Sequence, residues 1–228
     1  MVYQHFTLIP EFTVLENIVL GSEPRVRPGE DALVVNNLWV RDDEGRYTVK
    51  GASFRVRMGE IYSIVSVEGN GQRELVEAVV GLRPYVRGEV VIKSAKRMLA
   101  YIPPDRTSEG LILDMLVSES SILGIHKLFA LGGVAIKGSR VVRHAENLVR
   151  KYSIVAPSTR SPAKYLSGGN QQKLVIAREL SKGSDLLVVS NPTRGLDIAS
   201  TNYVRRLLID LRTSGKPSSW LRRTSMRP

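Results

Sequence analysis

Residues 166–173 read Leu166-Ser167-Gly168-Gly169-Asn170-Gln171-Gln172-Lys173 and run directly into a helical stretch, Leu174 to Ser181. A serine and two glycines at a helix start let backbone come close to an anion, since neither glycine carries a Cβ. The N–H groups and the positive end of the helix then act on a phosphate. Working outward, Leu186 to Val189 is four consecutive branched aliphatics ahead of Asn191-Pro192, the pattern of a buried strand. On the other side, Ile61 to Val65 is a short apolar strand, followed by the loop Glu68-Gly69-Asn70-Gly71 and a helix from Glu74 to Val80 closed by Gly81. Strand, glycine loop and helix in that order open a parallel α/β unit.

The remaining segments fit around this frame. Leu33 to Arg57 alternates apolar and polar residues about the turn Asp42-Asp43-Glu44-Gly45, which predicts antiparallel strands or a hairpin. Leu99 to Ile102 is a further short strand ended by Pro103-Pro104, residues 111–152 read as mostly helical, and Ser200 to Leu211 as a last helix. Gly21 to Asp31 holds Pro24 and Pro28 and reads as a linker.

Composition bounds the chemistry. The 228 residues, 43% hydrophobic and 24% charged, suffice for one full domain with a real core. With no cysteine, disulfides and thiolate metal sites are excluded, and His5, His126 and His144 stand too far apart for ligand spacing. No apolar run approaches the roughly 20 residues of a spanning helix, and Met1 to Pro10 has neither a charged leader nor a long apolar stretch, so a cytoplasmic protein is expected. The net charge of +11 favours anionic partners. Seven of the bases and a single acid, Asp210, fall between Arg205 and Pro228.

The octet 166–173 resembles the signature motif of ATP-binding cassette (ABC) ATPases, in the Asn-Gln-Gln-Lys form of importers for simple sugars and nucleosides. The order of segments agrees. Leu186 to Val189 with Asn191-Pro192-Thr193-Arg194 and Gly195-Leu196-Asp197 resembles a Walker B strand and D-loop, and Ser66 to Arg73 occupies the place of the phosphate loop. Ile102-Pro103-Pro104-Asp105-Arg106 is similar to the segment at the Q-loop position in the second cassette of tandem sugar importers. The resemblance implies a P-loop NTPase-like parallel sheet with an antiparallel β subdomain and a helical signature subdomain, the C-terminal strands missing. Trp39 or Tyr47 would be the aromatic stacked on adenine, and spacing does not choose between them. Residues 1–21 resemble the Q-loop region of a first cassette, with Gln4 as its glutamine. The implied division is a stub at 1–21, a linker at 22–32, an incomplete cassette at 33–216 and a disordered basic tail at 217–228.

Roles follow by resemblance. Ser66, Gly69, Asn70, Gly71, Gln72 and Arg73 would lie at phosphate, Pro104, Asp105 and Arg106 near the Q-loop, and Asp197 in the D-loop. Ser167, Gly168 and Gly169, with Gln171 behind them, would act in trans on ATP held by another cassette. Asn191 stands where the catalytic glutamate is expected, and Ser190 at the aspartate that supports magnesium. A phosphate loop needs a lysine for the β/γ-phosphates and a hydroxyl for Mg²⁺. Here those positions hold Gln72 and Arg73, and an amide at position 191 cannot accept a proton from water, a loss of about 10²–10⁴-fold. The expectation is an ATP-binding importer subunit with a weak magnesium site and little or no hydrolysis alone. It would sit peripherally on the inner face of the membrane. Its partners would be a second cassette with an intact phosphate loop and transmembrane permease subunits.

Two other readings compete. Gln72, Ser190 and Asn191 also suit a non-catalytic nucleotide-binding or regulatory protein, or a non-functional gene remnant. Nucleic-acid binding draws on the charge alone, since aromatics are only 6% and no reading motif is present, so no specific nucleic-acid partner is expected. The tail also admits a coding explanation. Read one nucleotide earlier, codons for 217–228 can give Ala-Val-Leu-Leu-Ala-Glu-Glu-Asp-Leu-Asp-Glu-Ala, which resembles the family's continuation. A shifted frame would turn acidic codons into arginines, and the coding DNA decides whether it did.

Overall fold

The computed structural model describes residues 29–67, 69–93, 99–131, 135–213 and 219–226. The stub at 1–21 and most of the linker lie outside the described residues. Two sheets carry the fold. Strands β1 (Asp31–Arg41), β2 (Tyr47–Arg57) and β4 (Arg87–Ile92) form an antiparallel sheet in the order β2-β1-β4. Strands β3 (Ile61–Val67), β5 (Leu99–Ile102), β8 (Leu186–Ser190) and β9 (Ser219–Met226) form a parallel sheet in the order β3-β9-β8-β5. The hairpin predicted over Leu33 to Arg57 is present, and its Asp42 carboxylate accepts from the Glu44 and Arg46 N–H groups to shape the turn.

In the parallel sheet, β8 is buried on both faces. Successive side chains of a strand point to opposite sides, and β8 shows the consequence. Leu186 and Val188 join a core with β1, β2 and helix α1 (Gln72–Val79), whereas Leu187 and Val189 join a second core on the other face. That second core is completed by Leu174, Val175, Ile176 and Ala177 of α4 (Gly168–Ser181) and by Val204 of α5 (Ile198–Thr213). An all-apolar run such as Leu186 to Val189 is what a strand covered on both sides requires.

Residues 111–152 are less helical than the pattern suggests. They hold the single turn α2 (Val117–Ser120), a 3₁₀ turn at His126–Phe129, the two-residue strands β6 (Ala130–Leu131) and β7 (Ala135–Ile136), and α3 (Gly138–Lys151). Gly124, at φ 85°, is in a conformation that ends a helix. Two boundaries also shift, since β1 begins inside the expected linker and α5 starts at Ile198.

The tail departs most from expectation. Residues 217–228 lack an apolar period and were expected to be disordered, yet Ser219–Met226 forms β9 in the middle of the parallel sheet. It pairs with β3 from Ile61↔Trp220 to Val67↔Met226 and with β8 from Leu186↔Ser219 to Ser190↔Arg223. The physical reason is that a ladder is built from backbone N–H and C=O groups, which every non-proline residue supplies. The neighbouring edges of β3 and β8 supply partners for both sides of an extended segment, even one without apolar alternation. The slot expected to lack a strand is therefore occupied.

Candidate functional site

The start of α4 is assembled by three segments distant in sequence. Ser167 is its N-cap, in extended backbone at φ −61° and ψ 156°, and makes no side-chain cap bond to the helix. Its hydroxyl instead accepts from Asn170 Nδ2 at 2.9 Å, and Asn170 Oδ1 accepts from the Val155 N–H at 2.9 Å. The serine is exposed, Gly168 half-buried and Gly169 buried. Both glycines have close neighbours. A Cβ on Gly168 would lie 2.6 Å from Arg106 Nη2, and one on Gly169 would collide with the Ser200 hydroxyl and sit 3.7 Å from Asp197 Oδ2.

Arg106 belongs to a one-turn π-helix, Arg106–Gly110, directly after the Pro103-Pro104 end of β5. Its Nη1 donates to the Arg194 carbonyl at 3.2 Å, joining this turn to the loop after β8. Its buried Nε finds no partner among the described residues, and no carboxylate there pairs with the guanidinium. A cation beside the positive end of a 14-residue helix is electrostatically uphill by about 0.3–1 kcal/mol. An anion placed between Ser167 and Arg106 removes that conflict, so the cluster is chemically suited to bind one.

Asp105 holds the turn in shape. Its Oδ1 accepts from Thr107 Oγ1 at 2.7 Å, from Thr107 N–H at 2.8 Å and from Ser108 N–H at 3.3 Å. The Thr107 hydroxyl is the main reason its carboxyl is held down to about 2. A depressed carboxyl stabilises the fold fully above its ordinary 3.8 and loses that contribution as pH falls through about 2. D105A is therefore expected to cost about 1 kcal/mol near neutrality, with the gap to the parent narrowing in acid, as urea titrations at several pH values will read.

Asp197 is a local cap. Its Oδ1 accepts from the Ser200 N–H at 2.8 Å and its Oδ2 from the Ser200 hydroxyl at 2.7 Å. The Ser200 N–H is the first cause of its lowered carboxyl pKa. Ser190, the last residue of β8, is buried, and its hydroxyl has no partner among the described residues. Asn191 follows at φ 43°, and its carbonyl accepts from the Arg194 N–H at 3.1 Å.

The glycine loop after β3 keeps its turn but not its charge. Gly71 has φ 82°, and a Cβ there would run into the Thr48 backbone, 2.8 Å from its carbonyl carbon, so this turn requires glycine. Gly69 and Asn70 are exposed beside it, and Ser66 lies in β3 opposite Ser225. Gln72 is buried. Arg73 donates through Nε to Glu77 Oε1 at 2.6 Å, and Glu77 Oε2 accepts from Arg83 at 2.7 Å. The guanidinium at the expected hydroxyl position is thus engaged by a carboxylate of its own helix. Its Nη2 is also 4.0 Å from Glu109 Oε1, which links the glycine loop to the 106–110 turn.

Of the residues singled out from sequence, the structure gathers Arg106, Ser167, Gly168, Gly169 and Asp197 in one cluster. It does not bring Gln171 there. The Gln171 amide is buried and donates to the Ala163 carbonyl at 3.3 Å, so it serves the helical subdomain's interior. Of the two aromatics, Tyr47 precedes Thr48, whose backbone the Gly71 turn abuts. Trp39 meets it edge-on with centroids 5.6 Å apart, and Arg41 stands 4.4 Å over the Tyr47 ring. The role of Ser200 was missed, though Asp197 three residues earlier is a cap signal that could have found it.

The resemblance implies a magnesium ion near the end of β8. Such an ion asks for near-octahedral oxygens, usually with one or two carboxylates. The end of β8 offers a hydroxyl and a carboxamide, and no group of three His, Asp or Glu gathers among the described residues. These residues do not fit a magnesium ion.

Comparison with known proteins gives the family. Residues 49–194 match the family model described as ABC transporter. The chain is 37% identical over 203 residues to a guanosine import ATP-binding protein, NupO, of Bacillus subtilis, covering 83% of this chain and 40% of that protein. It is 34% identical over 209 residues to a nucleoside import ATP-binding protein, NupA, of Lactococcus lactis, covering 86% of this chain and 41% of that protein. The chain therefore spans about two-fifths of the length of these relatives. Among solved structures, the dimeric bacterial ABC transporter cassette MJ0796 superposes with a TM-score of 0.70 at 19% identity, over 85% of this chain and 88% of that one. The signature octet, the order of the surrounding segments and the family match agree: this chain belongs to the ABC transporter ATPase family.

Proposed function

We propose that the chain is an ATP-binding cassette of an importer for sugars or nucleosides, contributing its signature turn to a triphosphate held by another cassette. The observation that carries this reading is the contrast between its two anion-facing loops. The start of α4 presents an exposed Ser167, glycine backbone and an Arg106 guanidinium with no carboxylate partner among the described residues. The chain's own glycine loop has a buried amide and an arginine already paired with Glu77. Gly69, Asn70 and Gly71 still suit a phosphate held by backbone, with Tyr47 as the neighbouring aromatic for adenine. Transport substrates come from the names of the relatives, and the permease partners and the seat at the cytoplasmic membrane face follow from the importer reading. Among the described residues no helix is long and apolar enough to cross a membrane, consistent with a peripheral subunit.

Catalysis by this chain alone would lack a carboxylate at Asn191 to take a proton from water and a lysine at Gln72. The isolated protein is therefore expected to turn over ATP negligibly, and a second cassette with an intact phosphate loop to restore turnover on mixing. A brisk magnesium-dependent rate from the isolated chain overturns the proposal. The substitutions at Gln72, Ser190 and Asn191 favour a second reading, a regulatory protein that uses nucleotide as a structural ligand. Nucleotide binding without nucleotide-dependent association with a second cassette would select it.

A further inference from the structure

The charge of the chain is concentrated twice, and the tail is only one of the places. Residues 121–160 carry seven Lys and Arg against one acid, Glu146. In the structure this block includes the β6–β7 pair and α3. Val141, Ala145 and Leu148 turn the apolar side of α3 inward, which leaves Arg140, Arg143 and Arg150 exposed on the solvent side. None of these three pairs with a carboxylate among the described residues. Arg143 and Arg160 line an open depression of about 560 Å³, with Ser139 and Glu146 on its wall.

Beside the cations lie exposed aliphatics. The Lys137 N–H donates to the Phe129 carbonyl at 3.1 Å, and β6 pairs with β7 through Ala130↔Ile136. This closure brings Lys127-Leu128 and Ile136-Lys137 to the same end of the hairpin. Leu128 is 64% and Ile136 51% exposed, and both neighbouring lysines are exposed too. Arg140 stands 6.0 Å over the Phe129 ring at that end. Aliphatic tips ringed by lysine and arginine are the pattern of an interfacial surface. The apolar groups enter the headgroup boundary while the cations meet lipid phosphates. A nucleic-acid surface would instead offer exposed aromatic platforms, and Phe129, which meets the His144 ring here, is buried.

We propose that this face, formed by residues 127–130, residues 135–137 and the exposed side of α3, docks directly on an anionic phospholipid surface. The inference goes beyond the importer reading, because it needs neither nucleotide nor a permease. The test is flotation of the full chain with vesicles of phosphatidylcholine alone and of phosphatidylcholine mixed equally with phosphatidylglycerol. Binding is expected to the anionic vesicles only and to be released by high salt. Reversing charge at Lys137, Arg140 and Arg143 together is expected to lower partitioning at least about tenfold. Should that variant unfold, R143E with R160E reads the same face. Serine at Arg222, Arg223 and Arg227 should leave partitioning unchanged. Binding to neutral vesicles, binding that follows the tail arginines, or retention on single-stranded DNA without vesicle binding overturns the proposal. ATP turnover plays no part in these readouts, so failure here and failure of the importer reading are separable.

Discussion

Alanine at Glu179 is expected to lower stability by about 3–5 kcal/mol, read as a fall in the urea midpoint at unchanged slope. Glu179 is 3% exposed and sits on the inner side of α4. Its Oε1 accepts from Arg178 Nε at 3.0 Å, and its Oε2 accepts from the Tyr101 N–H at 3.0 Å and from Lys182 Nζ at 2.5 Å. One carboxylate therefore compensates a buried guanidinium and ties α4 to β5, a strand 78 residues away. Among the described residues, removing it leaves Arg178 buried with only the Gly110 carbonyl, 2.9 Å from Nη1, and water cannot replace the lost charge. Glutamine keeps an acceptor for the Tyr101 N–H but not the charge, so E179Q should fall between the two. A midpoint for E179A within error of the parent would show that the pair contributes nothing.

The second large effect is on rate. In a mixture with a cassette that holds an intact phosphate loop, S167R is expected to depress ATP turnover at least about 10²-fold. The same substitution should change stability by no more than about 0.5 kcal/mol. The split follows from the structure. Ser167 is exposed and among the described residues its hydroxyl is bonded only to Asn170, so the fold has little to lose. Function has more at stake, because an arginine there fills the approach to the glycines and adds a second guanidinium beside Arg106. Unchanged turnover with S167R would remove the signature turn from the chemistry. A large loss of stability would instead assign Ser167 a structural task.

Some of this was legible before any coordinates. Leu186 to Val189 read as a strong buried-strand candidate, and it lies between two cores. Strand, glycine loop and helix over 61–81 were readable because each depends on neighbours within a few positions. The position of Gly71 was visible as a glycine, but the reason for it, the Thr48 backbone lying against the turn, was not. Gln171 illustrates the opposite case. It sits in the most informative octet of the chain, yet the helix turns it toward Ala163 and away from the exposed start.

The second basic block escaped notice because seven cations spread over forty residues form no run. Helical periodicity and the β6–β7 closure are what gather them on one face.

Sequence by itself determined the family, the strand, glycine loop and helix over 61–81, the strand at Leu186 to Val189 and the loss of charge at Gln72, Ser190 and Asn191, since these are matters of residue type and local spacing. Tertiary structure alone decided that Arg106 lies against Gly168 and reaches Arg194, that Glu179 braces Tyr101, and that residues 219–226 form a central strand. The physical reason is range. Each of these contacts joins groups far apart along the chain, and the last is made through backbone groups that no side-chain pattern announces.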